Sequence, residues 1–334
     1  DWIVMTSNNF FIPNGIEYCM PEEAKKFEKL KSQTIKIFNK YGYNYVIPPI
    51  ADSLNNLLTL NSSDLKEKTV KFQNSTTGET FGIRADITPQ IAKIDLHLSK
   101  SQQSTNRLAY LGDIIRVSPN KFDRINPYQI GAEYFGNLTP SIDIELIQML
   151  IEILSLSKKS KIIIELGDLS IITQLLGSLS LTNNDRLLLI DLINVKSKNE
   201  IIKFFMDRNL KKNVMTTICE LIDCNGKLNL LPKIKKSLSK SKITLTTKLK
   251  ELEFIAKKIV KLNNIQDVHI DLCNLNTLNY QTDIIYTAYI PNMRKEIATG
   301  GRYTVNSNKD IRYASGFSLD LKDIYYISTR GKND

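Results

Sequence analysis

The chain has 334 residues, 42% of them hydrophobic, which is enough to bury a real core in one large domain or a domain with a sizeable insertion. No run of about 18 apolar residues occurs, and the opening DWIVMTSNNFFIPNG lacks the basic and apolar regions of an export signal, so a cytoplasmic protein with no membrane partner is expected. The net charge of +10 is local: Lys158 to Leu262 holds 21 Lys/Arg against 10 Asp/Glu, and the remainder holds 24 against 25. Lysines scattered at helical spacing read first as a solvated face, and a surface for RNA or an acidic partner is the sharper alternative.

Cys19, Cys219, Cys224 and Cys273 form no CxxC pair and lie far from His97 and His269, so neither a zinc site nor a disulfide framework is expected. No Ser-His-Asp pattern and no G-x-x-x-x-G-K-[ST] loop is present, and the sequence calls for no cofactor.

Pro21 to Tyr41 reads as a helix with Phe27, Leu30, Thr34, Ile37, Phe38 and Tyr41 on one stripe, stopped by Gly42. YNYVIPPI reads as a strand ending at Pro48-Pro49, and TVKFQ and ETFGIRAD as a hairpin around NSTTG. In TPQIAKIDLHL, Thr88 is placed to cap a helix with Pro89 at its first position, so Asp86 and Thr88 sit where a strand gives way to a helix.

Arg107 to Gly136 reads as two strands joined by a polar loop. In the second strand, a period of two puts Gln129, Gly131 and Glu133 on one face and Tyr128, Ile130, Ala132 and Tyr134 on the other. The first face is a hollow with polar walls. With Arg116 at the end of the first strand, it suits a small molecule that carries both an ammonium and a carboxylate.

Thr139-Pro140 starts another helix, KIIIEL is a short buried strand, and Asp168 to Asn263 reads as four or five short helices broken near Asn183, Asn194, Asn209 to Asn213 and Asn225-Gly226. DVHIDL, DIIYTAYI, KEIATGG and ASGFSL then read as strands, followed by a helical or irregular tail from Asp320. Strands, a helical block and strands again predict an α+β fold with a mostly antiparallel sheet.

GIRADITPQIAKID, YLGDIIR, NPYQIGAEYFG, ATGGRY and ASGFSLDL, in this order, resemble the class II aminoacyl-tRNA synthetase-like catalytic fold of the histidyl-tRNA synthetase family. Within that superfamily they resemble most the paralogous regulatory subunits of ATP phosphoribosyltransferase. The likeness runs from about Pro13 to Leu321. It implies a synthetase-like core over residues 10–166 and 264–325, a basic helical insertion over 167–263, and no anticodon-binding domain.

Carried across by position, the resemblance implies a histidine-binding site. Asp86 and Thr88 stand where the synthetase's R-P-E-G-T segment meets the α-ammonium, and Gln129 and Glu133 in its F-H-Q-x-G-x-E strand continue the ammonium and imidazole contacts. Arg116 matches the arginine of F-R-x-E, a partner for a carboxylate or phosphate, and Gly300, Gly301, Arg302 and Tyr303 match G-G-R-Y, with the tyrosine beside the imidazole. Tyr280 fits the R-G-L-D-Y-Y segment.

The departures fall on the nucleotide half. Ser118 replaces the glutamate that reads adenine, Asp320 stands where a glycine admits the nucleotide, and Asp323 replaces the arginine that meets ATP phosphate. Asn276 and Asn279 replace the catalytic arginine and the aspartate of R-G-L-D-Y-Y, and Gln281 replaces its ring-contacting tyrosine. The expected function is therefore that of a non-catalytic regulatory subunit. It would partner the short-form catalytic subunit of ATP phosphoribosyltransferase, bind L-histidine as effector, and form a homodimer within a hetero-oligomer, with no nucleic-acid partner. The rivals are a truncated histidyl-tRNA synthetase-like ligase and an RNA-binding pseudo-synthetase.

Overall fold

The computed structural model describes residues 12–60, 63–99, 101, 103–117, 124–158, 161–241, 243, 246–275, 281–291, 293, 295–306 and 311–329. Helix α1 (Pro21–Lys40) begins on a proline, carries Glu22 and Glu23 in its first turn, and turns Phe27, Leu30, Thr34, Ile37 and Phe38 inward. Gly42, at φ +75°, reverses the chain after it. The strand expected in YNYVIPPI is reduced to β1 (Asn44–Tyr45), because Pro48 and Pro49 have no N–H to continue a ladder. Next come β2 (Ala51–Ser53), α2 (Leu54–Leu57), α3 (Ser63–Lys68), β3 (Val70–Gln73) and β4 (Thr80–Ile83); β2, β4 and β3 form a small antiparallel sheet.

The main sheet is assembled from both halves of the chain. After α4 (Thr88–Leu98) come β5 (Asn106–Asp113), β6 (Tyr128–Phe135), α5 (Pro140–Leu154) and β7 (Ile162–Asp168). The helical block follows: α6 (Leu169–Gly177), α7 (Asn183–Asn194), α8 (Lys198–Asp207), α9 (Lys212–Ile222), the short β8 (Gly226–Lys227), α10 (Leu231–Lys240) and α11 (Thr246–Ile259). The chain returns to the sheet with β9 (Ile265–Ile270), β10 (Gln281–Tyr289), β11 (Ala298–Asn306) and β12 (Ile311–Asp320), and the tail forms α12 (Leu321–Thr329). Strand order is β1-β5-β6-β12-β11-β10-β7-β9-β8, antiparallel except where β1 meets β5 and β7 meets β9.

The two faces of this sheet differ. On one, Ala109, Leu111, Ile130, Ala132, Phe317, Leu319 and Tyr286 join a large core with helices α1, α5, α11 and α12. On the other, Leu108, Tyr110, Phe135, Tyr303, Val305 and Ala314 pack under Ile87 and Ile91 beside and on α4. That helix covers only one end, so the rest of the face is open to a ligand.

The helical block shares the large core. Helix α6 packs on β10, α11 packs on α5 and β7, and buried residues of α7 to α10 belong to the same apolar cluster as the sheet. Its breaks fall where the asparagines predicted them, with one more at Ser241 that divides the last stretch into α10 and α11. Much of its positive charge is paired locally, as in Lys196–Asp271, Lys198–Asp223, Arg208–Asp185 and Lys235–Glu253. Among the described residues, no helix is long and apolar enough to cross a membrane.

Candidate functional site

The open face is a trough whose floor is main chain. In register across the sheet lie Tyr110 and Gly131, Glu133 and Gly316, Gly316 and Gly301, and Tyr303 and Gln281. A Cβ on Gly316 would sit 1.7 Å from Glu133 Oε2, and one on Gly131 would sit 2.4 Å from the Tyr110 hydroxyl and 2.5 Å from the Phe317 carbonyl. Glycine at these two positions is therefore what gives the carboxyl and the phenol their places.

Glu133 occupies the deep end. It is 2% exposed and accepts hydrogen bonds from the Tyr303 hydroxyl at 2.9 Å and the Thr88 hydroxyl at 3.2 Å, with the Tyr110 hydroxyl at 3.5 Å. Burial, opposed by these donors and reinforced by the charge of Asp86, pushes its carboxyl up to about 8. Among the described residues no cation pairs with it, so an incoming ammonium or ring N–H has a reason to settle here.

Asp86 and Gln129 build the next section. Gln129 Nε2 donates to Asp86 Oδ1 at 2.7 Å, and Gln129 Oε1 accepts from the Ile87 N–H at 2.8 Å. Thr88 is not a cap as expected but the first residue of α4. Asp86 accepts its N–H at 3.0 Å instead, which leaves the Thr88 hydroxyl to turn into the trough toward Tyr110 and Glu133. The physical reason is that a carboxylate two residues earlier is the stronger acceptor for that N–H. Asp86 Oδ2 carries no hydrogen bond among the described residues.

One of the residues expected in the site faces away from it. Arg302 points to the helical side, where it is 5% exposed and binds Asp143 of α5 (Nε to Oδ2, 3.0 Å) and Glu251 of α11 (2.7 Å). Alternation along β11 requires this, since its neighbours Gly301 and Tyr303 line the trough. Gly300 contributes only its main chain: a Cβ there would meet the Tyr286 ring at 2.5 Å on the helical side. Tyr280, with Asn276, Asn279 and Ser118, lies outside the described residues.

Toward Asp320 the trough widens into a cavity of about 190 Å³ lined by Lys68, Arg116, Gln129, Lys295, Asp320 and Asp323, among others. It shares Thr299 and Ser318 with the narrow part beside Glu133, so the two adjoin. Arg116 stands at its rim, half-buried, held among the described residues by a bond from Nε to the Ala85 carbonyl at 3.2 Å. Asp320 and Asp323 are both engaged by Arg124: NH1 donates to Asp320 Oδ2 at 2.8 Å and also bonds Asp323 Oδ1, while Nε bonds Glu17. Lys295 adds a second cation to Asp323 at 3.1 Å. Burial, and after it the charge of Asp323, raises the Asp320 carboxyl above its usual range, and Arg124 opposes the shift.

Sequence reasoning missed Arg124, Lys295 and Tyr110. Tyr110 carried a signal, since it alternates with Gly112 on the strand paired to the Gln129–Gly131–Glu133 face. Arg124 carried none, because its acidic partners lie 196 and 199 positions away.

A family profile described as histidyl-tRNA synthetase matches residues 15–324. The ATP phosphoribosyltransferase regulatory subunit of Thioalkalivibrio sulfidiphilus is 32% identical over 330 residues, covering 96% of this chain and 82% of that one. The chain belongs to this regulatory-subunit family. A second member, from Methylococcus capsulatus, is 30% identical over 334 residues, covering 98% of this chain and 81% of its own.

Solved structures agree on the fold of the family. A Bacillus halodurans protein described as an ATP phosphoribosyltransferase regulatory subunit/histidyl-tRNA synthetase superposes with a TM-score of 0.82 at 20% identity, covering 97% of this chain and 84% of that one. A chain of the ATP phosphoribosyl transferase (HisG:HisZ) complex from Thermotoga maritima gives 0.70 at 18% identity, covering 88% of this chain and 97% of that one. The α+β, class II synthetase-like architecture expected from the sequence is the one observed. The regulatory-subunit family is likewise the one that the motifs had pointed to.

Proposed function

We propose that the chain is the non-catalytic regulatory subunit of an ATP phosphoribosyltransferase and senses L-histidine in the trough. It assembles with a short-form catalytic subunit, as a homodimer within a hetero-oligomer, and serves both activation and feedback inhibition of the first step of histidine synthesis. One observation carries the reading: the amino-acid half of the trough keeps its polar groups, while the acids of its nucleotide half are tied up by Arg124 and Lys295. A triphosphate entering that half would meet carboxylates that already hold Arg124 and Lys295, so those cations are engaged and not free for phosphate.

In this reading, Asp86 with Gln129 receives the α-ammonium, Glu133 with Tyr303 the imidazole, and Arg116 the carboxylate. A charge-assisted hydrogen bond contributes roughly 1.5–3 kcal/mol. Three or four therefore suffice for micromolar affinity, about −8 kcal/mol. Histidine changes activity only so far as it binds the inhibited assembly better than the active one.

The test is reconstitution with a short-form catalytic subunit, measuring phosphoribosyl transfer with and without histidine. The chain should raise the rate and make it histidine-sensitive. Robust ATP–pyrophosphate exchange dependent on histidine would instead make it a ligase.

A further inference from the structure

The strands beneath the trough are tied from behind to two helices. Arg302, between Gly301 and Tyr303 on β11, donates to Asp143 of α5 and, at 2.7 Å, to Glu251 of α11. Ser315 stands opposite Arg302 on β12, directly before Gly316, and donates to the same Asp143 at 2.9 Å. The Tyr286 hydroxyl of β10 donates to the Gly316 carbonyl at 3.0 Å. Asp283, also on β10, forms an ion pair with Lys248 of α11. It lies where the register with β11 slips between Gln281 and Ile285, so the backbone ladder alone does not fix that stretch.

Lys248 and Glu251 are three residues apart and therefore share one side of α11. One grips β10 and the other β11, so this helix holds two neighbouring strands of the trough at once. Arg302 and Asp143 expose 6% and 0% of their side chains, and Glu251 exposes 19%. With Glu251 gone, the buried Arg302 keeps its pair with Asp143, so the fold does not depend on the bond to α11. Because the floor is main chain at Gly131 and Gly316, a ligand that presses on it acts on the strands themselves. A displaced strand carries its ties with it.

We infer that Lys248 and Glu251 are positioning residues through which a ligand in the trough is coupled to α11, the last helix of the insertion. They touch no ligand; they hold the strands that form the floor. The inference rests on the reading of the trough as an amino-acid site. Ties that only stabilised the fold would change the protection of α11 equally with and without ligand, whereas coupling ties change the difference between the two.

The experiment is hydrogen–deuterium exchange of the full chain with and without saturating L-histidine. In wild type, histidine should slow exchange of the α11 amides about tenfold, and leave α8, which packs on α7 and α9, unchanged. Glu251→Met, similar in length and without the acceptor, should keep histidine affinity within about threefold by calorimetry and cut the slowing of α11 to about twofold or less. Lys248→Met should do the same, and serves if the first variant fails to fold. Slowing that survives in either folded variant overturns the inference, as does wild type that binds histidine with no response in α11; both outcomes leave the amino-acid reading intact. Wild type that does not bind histidine overturns both.

Discussion

Tyr303 and Glu133 sit on strands that do not touch, yet the tyrosine hydroxyl reaches the glutamate at 2.9 Å. Strand β12 runs between them with Ala314 opposite Tyr303 and Gly316 opposite Glu133, so the two side chains meet above it. Removing the hydroxyl with Tyr303→Phe takes a donor from a buried carboxyl. Stability should fall by about 1–3 kcal/mol, read by urea denaturation, and histidine affinity should fall with it.

Glu133 makes stability and binding depend on pH. Its carboxyl is raised from 4.5 to about 8 in the folded chain, so between those values the unfolded chain holds fewer protons than the folded one. Stability attributable to this group is therefore full below about pH 4.5 and is lost as pH rises toward 8. Glu133→Gln should flatten that decline, and the wild-type and variant curves should separate most at pH 8. An imidazole N–H donated to Glu133 favours the carboxylate, so histidine binding at pH 7 should release a proton, visible as a buffer-dependent calorimetric enthalpy.

Arg124 is the shared counter-ion of Asp320, Asp323 and Glu17. Arg124→Ala strands buried carboxylates and should cost about 3–5 kcal/mol. Adding Asp320→Asn and Asp323→Asn should recover part of that loss. A triple variant no more stable than the single one would mean that the arginine acts through packing on Tyr326, whose ring it also covers at 5.0 Å.

Arg116 and Arg302 separate binding from stability. Arg116→Ala removes a half-buried cation held, among the described residues, by a single bond and should weaken histidine about tenfold with little change in melting. Arg302→Ala breaks a buried pair with Asp143 and should cost about 3–5 kcal/mol. Histidine affinity of the protein that remains folded should change little.

The period of two made β6 legible in the sequence: Gln129, Gly131 and Glu133 do share a face, and the helix starts at Pro21 and Pro140 fall where proline placed them. The same rule, applied to Gly301-Arg302-Tyr303, would have separated Arg302 from its neighbours. A motif read as a block hides the alternation within it. The ties of Arg124 and Arg302 were not legible, because ion pairs between distant elements depend on how the sheet and helices pack and leave no local pattern.

The main-chain floor sets a limit on how this site can change. Side chains can be exchanged one at a time, but a surface made of peptide bonds at Gly131 and Gly316 alters only if the strands themselves move. The depth and width of the trough are thus a property of the fold, and chemical identity is left to its border at Asp86, Arg116, Gln281 and Asp320. A lineage can lose one half of the chemistry and keep the other by changing a few border residues, without redesigning the scaffold beneath them.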